Sequence, residues 1–309
     1  MMNQVVQELM TQLDKQDAFF EVEEVPVAAV MSRGYYSKSH HNFILFPNRK
    51  AIVRKHDGAL INIVSKNYRL LSNEEMFSGF LNGLVDTEFD MEGARARVRY
   101  ANNGGRTLVD IRLPQHQIEV KIGDITELVI QVKNGYDGLW AFVSSLLGMR
   151  LWCLNGAVFP DRFGYINQKH NQNLSVERAV DGILDRLEGW THAGEEWSHM
   201  LKTPTTDDIA WRAFLTYNKL SHFHAGQLTS PFEDHKLTSV PAKMMNRYLG
   251  YEKPELGENA YAVYNTITHH STHSKQHANA EATSTVLRNK KVIDLLESDY
   301  WTSTVCPEA

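Results

Sequence analysis

The chain has few of the features that mark secreted or membrane-bound proteins. Only two of its 309 residues are cysteines, so a framework of disulfide bonds is not expected. No stretch approaches the ~18 consecutive apolar residues that a membrane-spanning helix needs. The first residues also lack the basic and long apolar regions of a secretory signal peptide. These absences predict a soluble protein of a reducing cytoplasm.

The sequence also lacks the short motifs of common nucleotide-binding and hydrolase sites. It contains no G-x-x-x-x-G-K-[ST] loop, no G-x-G-x-x-G after a predicted strand and no G-x-S-x-G elbow. We therefore regard an enzyme as the less favoured class and expect no cofactor. The formal net charge is −5 and the isoelectric point is about 6.3. An anion-binding site would thus have to be a local basic patch on an acidic protein.

Residues 94–113 read as a β-hairpin that could supply such a patch. Arginine alternates with small or apolar residues before the turn, which is the period-two pattern of a strand with one buried face. Asn103 followed by Gly104 favours a tight type I′ turn. A turn centred on these two residues fixes the register of the hairpin. The predicted cross-strand pairs are Ala101 with Arg106, Arg99 with Leu108, Arg97 with Asp110, and Arg95 with Arg112.

Directly paired residues point to the same side of a sheet, so this register places five arginines on one face with Asp110. They are Arg95, Arg97, Arg99, Arg106 and Arg112. Two interpretations stay open. The arginines form a solvated face that pairs with carboxylates from elsewhere in the chain. Alternatively, they form a phosphate-binding face, because the planar guanidinium matches two phosphate oxygens at once.

The remaining pattern predicts an α+β protein, with an antiparallel β-meander and packed helices first and a mostly helical second part. Ser72 and Glu75 form a capping box that begins a helix over 72–85. Strands over 125–133 and 139–147 complete a four-strand meander with the hairpin, and a short helix is predicted around 150–158. Further helices are predicted over 174–201, 206–220, 240–249, 260–274 and 283–298. The predicted domains are 1–160, which is sheet-rich and carries the arginine hairpin, and 161–309, which is helical.

Three further residues are candidates to extend the arginine face. Lys133 ends a predicted strand, Tyr136 lies in the Asn-Gly-Tyr-Asp-Gly turn that follows, and Arg150 comes after the next strand. Arginine interleaved with aromatic residues is what single-stranded nucleic acid needs, because phosphates pair with the cations and bases stack on the rings. The alternative is that the aromatic residues are ordinary core residues.

A histidine-rich segment near residue 270 raises a metal hypothesis. If the segment is helical, His269, His273 and His277 fall on one face at i, i+4 and i+8, which suits zinc. No carboxylate accompanies them, and Ser, Thr and Gln dominate the segment. A solvated helix end or loop is therefore the favoured interpretation, and no metal site is assigned.

Several short segments give the chain a family resemblance. They are residues 67–75 (NYRLLSNEE), 134–138 (NGYDG), 150–155 (RLWCLN) and 264–268 (YNTIT), with His273 after the last. In these segments the chain resembles phage- and plasmid-encoded proteins of unknown function, which are found in prophages and conjugative elements. The resemblance extends from about residue 60 to residue 275. At fold level, the order of strands and helix is also similar to that of phage single-strand annealing proteins. The resemblance implies a mobile-element setting in a bacterial cytoplasm.

These observations lead to one main hypothesis and two alternatives. The main hypothesis is a phage or plasmid protein that binds or anneals single-stranded DNA with its arginine-rich sheet face, without chemistry and with homo-oligomerisation left open. The first alternative is a metal-dependent enzyme acting on nucleic acid. The second is a host-interaction protein of a mobile element that uses the acidic helical part.

Overall fold

A computed structural model describes residues 4–31, 42–87, 89–151, 155–157, 165–185, 187–219, 239–275 and 277–307. The chain is α+β, as predicted. The N-terminal helix α1 spans Gln4–Asp14. A three-stranded antiparallel sheet then runs in the order β1 (Val22–Met31), β2 (Asn42–Arg54) and β3 (Leu60–Ser65), followed by α2 (Asn73–Val85).

The second sheet carries the hairpin. Its antiparallel path runs through β4 (Arg95–Ala101), β5 (Arg106–Lys121), β6 (Asp124–Gly135), β7 (Phe142–Arg150) and β8 (Asn155–Ala157). Strand β9 (Tyr165–Gln168) also pairs with β7. The four-strand meander is therefore confirmed. The helix predicted around 150–158 is wrong where the chain is described, because Asn155–Ala157 pairs with the end of β7 as a strand.

The rest of the described chain is mostly helical. The helices are α3 (Val176–Leu184), α4 (Leu187–Lys202), α5 (Asp207–Tyr217), α6 (Val240–Arg247), α7 (Lys253–Leu256), α8 (Ala260–His273) and α9 (Glu281–Leu296). A π-helical turn, Tyr248–Glu252, joins α6 to α7, and another, Trp301–Val305, lies near the end. The single helix predicted over 174–201 is two helices, because α3 ends at Leu184 and α4 begins at Leu187.

The hairpin has the predicted register. Ala101 pairs with Arg106, Arg97 with Asp110, and Arg95 with Arg112. Asn103 and Gly104 have φ values of 51° and 86°, which are the positive values that a type I′ turn requires at both central positions.

Strand β4 is an edge of the second sheet, and α1 covers it. The Gln12 side chain accepts a hydrogen bond from the Ala96 N–H at 2.8 Å, and the Gln16 side chain accepts one from the Val98 N–H at 2.9 Å. These bonds satisfy backbone groups that an open edge would leave free to pair with another chain.

The hydrophobic core lies on the side of the hairpin opposite to the arginines. Val109 and Ile111 are fully buried there, among side chains from α1 and α2. The same core includes residues of α3 to α9, so it draws on chain before and after residue 160. The predicted boundary at residues 160 and 161 lies outside the described residues, and the division into two domains stays a prediction. Among the helices of the described chain, none is long and apolar enough to cross a membrane.

The arginine side of the hairpin is also partly covered. Helix α9 packs against β4 and β5, and its buried Ala282 lies in a small apolar cluster with Ala101 and Leu108. Arginines on this face therefore meet helices from the second part of the chain as well as solvent.

Candidate anion-binding cleft

A cleft of about 490 Å³ opens between the arginine face and the segment that joins α8 to α9. Four of the five predicted arginines line it: Arg95, Arg97, Arg99 and Arg112. Asp110 and Glu281 are its acidic residues, and the end of α8 contributes Thr272, His273 and Ser274. We call this space the arginine cleft. It exists because strand alternation sends every second side chain of β4 to the same side.

Arg99 forms the buried part of the cleft. It is only 7% exposed and donates a hydrogen bond to the Asp110 carboxylate, which is 4% exposed. The amide of Gln131 donates to the other Asp110 oxygen at 2.8 Å. The Arg99 Nε is buried without a hydrogen-bond partner. Leaving a buried donor unpaired costs roughly 1–3 kcal/mol, so this position would gain from an added acceptor.

Arg112 and Arg106 are held by carboxylates from β6 and from the turn after it. The Arg112 Nε donates to Glu127 at 2.9 Å. The Arg106 Nε donates to the fully buried Asp137 side chain at 2.6 Å, and its Nη1 donates to the Thr283 hydroxyl at 3.2 Å. Arg106 does not line the cleft. Its guanidinium carbon lies 5.6 Å from the centre of the Trp140 ring. These two ion pairs connect β5 to β6 and to the turn that follows β6.

Arg97 and Arg95 are the exposed guanidiniums of the cleft. The side chain of Arg97 is 63% exposed and forms an ion pair with Glu281 at 3.1 Å. Arg95 is exposed, and no carboxylate in the described part of the chain lies within ion-pair distance of it. Exposed ion pairs are typically worth less than about 1 kcal/mol. A phosphate could therefore compete with Glu281 for Arg97 at little cost.

The cleft keeps a positive excess. Four arginines against Asp110 and Glu281 leave two positive charges, and counting Glu127, which pairs with Arg112, leaves one. The predicted arginine face is thus partly neutralised: its one remaining positive charge is that of Arg95, and Arg97 has an exposed ion pair with Glu281.

Tyr136 does not fit the stacking role considered for it. It is 1% exposed, and its hydroxyl accepts a hydrogen bond from the Asn73 N–H at 2.6 Å. Its ring packs edge-to-face on Phe20, with 5.7 Å between ring centres. Burial raises the pKa of the Tyr136 phenol. The turn that contains it locks β6 to the hairpin and to α2.

Arg150 does not fit an exposed flanking contact either. It is 4% exposed and pairs with Asp124 and with Glu252, the latter at 3.3 Å. Its guanidinium carbon lies 5.8 Å from the Tyr261 ring centre. Burial among internal carboxylates explains the position, since a buried charge requires a partner.

Lys133 lies on the arginine side of the sheet but lines a different cavity, of about 380 Å³. Helix α9 and the residue after it provide the other wall, from Val286 to Glu297. Lys133 is thus separate from the arginine cleft.

The three candidate histidines do not share one helix face. Helix α8 ends at His273, so His277 lies beyond it. The His269 and His273 rings are near each other, with 4.4 Å between centres. Burial lowers the pKa of His269 to about 4. Among the described residues, no group of three or more His, Cys, Asp or Glu side chains is placed to hold a metal ion.

A second, smaller basic recess adjoins the arginine cleft at His273 and Ser274, which line both. This recess, of about 200 Å³, also includes Lys243 and Arg247. The Arg247 guanidinium lies over the ring of Tyr251, 4.8 Å from its centre, and Tyr251 is 62% exposed. Sequence reasoning missed these three residues, because no local motif brings residues 243–251 near residue 95.

A family model described as a domain of unknown function (DUF932) matches residues 60–293. The chain belongs to this family. All residues that line the arginine cleft lie within the DUF932 match. A search of curated proteins returns no match. The predicted membership of a family of unknown function is therefore confirmed, while the link to phages, plasmids and annealing proteins stays a prediction.

Proposed function

We propose that this DUF932 protein binds single-stranded DNA in the arginine cleft, as a DNA-binding or annealing protein of a phage or plasmid. The observation that carries the proposal is the concentration of four guanidiniums around one recess, two of them exposed. Arg95 and Arg97 stand two residues apart on one strand face, about 6–7 Å along the chain. This spacing suits contacts to neighbouring phosphates of an extended strand.

The buried end of the cleft strengthens the proposal. Arg99 lines this end and is held in place by its pair with Asp110, so a phosphate oxygen that entered the cleft this far would meet a guanidinium already oriented. The neighbouring recess supplies Lys243 for a continuing backbone, together with Arg247, which is held by an ion pair with Glu252 at 2.9 Å. The exposed Tyr251 ring offers a surface on which a base can stack.

The shape of the site favours a single strand over a duplex. The charged groups line a recess between a sheet and the end of a helix. A flexible strand can enter such a recess, whereas a stiff double helix reaches only its rim. No catalytic group is needed, because an annealing protein acts by holding the backbone extended and the bases accessible.

A titration of labelled oligo-dT, followed by fluorescence anisotropy at several salt concentrations, tests the proposal. Binding should weaken with salt, with a log–log slope of roughly −0.7 per phosphate contacted. The double variant Arg95→Ala/Arg97→Ala should reduce the slope by about 1.4 in magnitude, because two phosphate contacts are lost. Tyr251→Ala should weaken binding, whereas Tyr251→Phe should preserve it.

A matched double variant controls for loss of surface charge. Arg178 and Arg212 are exposed on α3 and α5, and Arg212 pairs with Asp208 at 3.0 Å much as Arg97 pairs with Glu281. Arg178→Ala/Arg212→Ala should leave affinity and slope nearly unchanged. A wild-type affinity that does not depend on salt, or equal losses in both double variants, would contradict the proposal. Tighter binding of a duplex of the same length would contradict its single-strand part.

A further inference from the structure

The cavity beside Lys133 has the composition of a small-molecule site. Its volume of about 380 Å³ lies within the range of roughly 300–1,000 Å³ found for ligand pockets. It lies between β6, β7, β9 and the outer half of α9. Its apolar walls are Val143, Leu147, Val286 and Ile293.

The register of β6, β7 and β9 places the polar side chains of the cavity floor next to one another. Lys133 pairs with Val143, which in turn pairs with Asn167, so the three side chains stand in a row. Gln131 pairs with Ser145 in the next row. Gln131 donates to Asp110, which leaves Ser145 and Asn167 as neutral groups able to donate hydrogen bonds to a ligand.

Lys133 is the charged group of this floor. No carboxylate in the described chain lies within ion-pair distance of its amine, and its contact is the Trp140 ring, 5.5 Å from the ring centre. Burial lowers the pKa of the Lys133 amine. A partly buried amine without a carboxylate is costly, and an anionic ligand would remove that cost.

The rim determines which anion fits. Lys290 and Asp294 on α9, and Glu297 directly after the helix, are exposed at the mouth of the cavity. The carboxylates at the rim oppose the entry of a multiply charged phosphate. A single negative charge on an apolar body would satisfy both the amine and the walls.

We infer that this cavity binds a small organic acid with one carboxylate or sulfonate and an apolar body, whose anionic group is held by Lys133. The site is distinct from the arginine cleft and does not depend on nucleic-acid binding.

Fluorescence titration with 8-anilinonaphthalene-1-sulfonate, which joins one sulfonate to an aromatic body, tests the inference. The full chain should bind one equivalent saturably, and benzoate should displace it. Lys133→Met, which keeps most of the length of the side chain but removes its charge, should weaken binding by about tenfold or more, as expected for a charge-assisted hydrogen bond. The control Lys15→Met, at an exposed lysine outside the cavity lining, should change affinity by less than about twofold, since exposed charges contribute little.

Three results would overturn the inference: unchanged affinity in Lys133→Met, absence of saturable binding, or displacement by inorganic phosphate but not by benzoate. Circular dichroism checks that each variant folds. If Lys133→Met does not fold, Lys133→Arg decides the matter. It keeps the charge and should retain benzoate-sensitive binding, and loss of that binding in a folded Lys133→Arg protein would count against the site.

Discussion

At the scale of residues, the arginine face shows how a strand tolerates repeated like charge. Arg95 and Arg112 stand directly opposite each other, an arrangement that destabilises a sheet unless it is compensated. Arg112 is compensated by Glu127 and Arg99 by Asp110. Arg95 and Arg97 remain at the solvent edge, where water screens the repulsion. The five arginines thus divide into structural and accessible members.

Replacing the buried Arg99 by Ala should strongly destabilise the fold. Asp110 would remain buried with Gln131 as its partner, and removing one member of a buried ion pair typically costs roughly 3–5 kcal/mol. Urea denaturation should show this loss in the free energy of unfolding. Arg97→Ala is the matched control, and its change should stay below about 1 kcal/mol because its ion pair is exposed. Equal losses in the two variants would show that Arg99 and Asp110 are not a buried pair in solution.

At the scale of elements, the turn of the hairpin is tied to distant parts of the chain. Tyr136 donates its N–H to the Gly105 carbonyl at 2.8 Å, and the Asn102 N–H bonds to the Asn279 carbonyl at 2.9 Å. A side chain at Gly104 would meet the Phe20 ring at 2.8 Å. The turn therefore depends on glycine for both its backbone angle and its close packing.

Gly104→Ala should cost more stability than Gly58→Ala. Both glycines have positive φ, 86° and 67°, but an added Cβ at Gly58 has nothing within 4 Å. Each substitution should lose about 1–2 kcal/mol for the left-handed backbone, and Gly104→Ala should lose about 1–3 kcal/mol more because of the overlap with Phe20. Thermal and urea unfolding of both variants measure the difference. Equal destabilisation would mean that Phe20 moves away freely.

Elements set by local signals could be predicted from the sequence, and pairs made by remote segments could not. The alternation around Arg97 and the Asn-Gly turn fix the hairpin register, and Ser72 caps α2 by accepting from the Glu75 N–H at 3.1 Å. The carboxylate partners of the arginines could not be predicted in this way. Glu281, for example, lies far along the chain from Arg97. No periodicity reveals such a contact, because it depends on how α9 docks on the sheet.

At the scale of the whole molecule, the arginine cleft depends on both parts of the chain. β4 and β5 supply the arginines, while the end of α8 and the start of α9 supply the facing wall. The DUF932 match spans these elements, from residue 60 to residue 293. The cleft is therefore a feature of the folded family region as a whole, and its wall at α8 links it to the half-buried histidines there.

Acidification should destabilise the protein through His269 and His270, which lie at the end of α8. Burial lowers the pKa of each to about 4, aided by Arg247 near His269 and by Arg288 near His270. The ordinary histidine pKa is about 6.5, so between these values the unfolded chain binds more protons than the folded one. The free energy of unfolding should therefore fall as pH decreases through this window.

Urea denaturation from pH 7 to 5 should show the fall, and His269→Gln/His270→Gln should flatten it. His192→Gln, at an exposed site on α4, should leave the slope as in the wild type. An unchanged slope in the double variant would show that these two histidines are not held neutral by the fold.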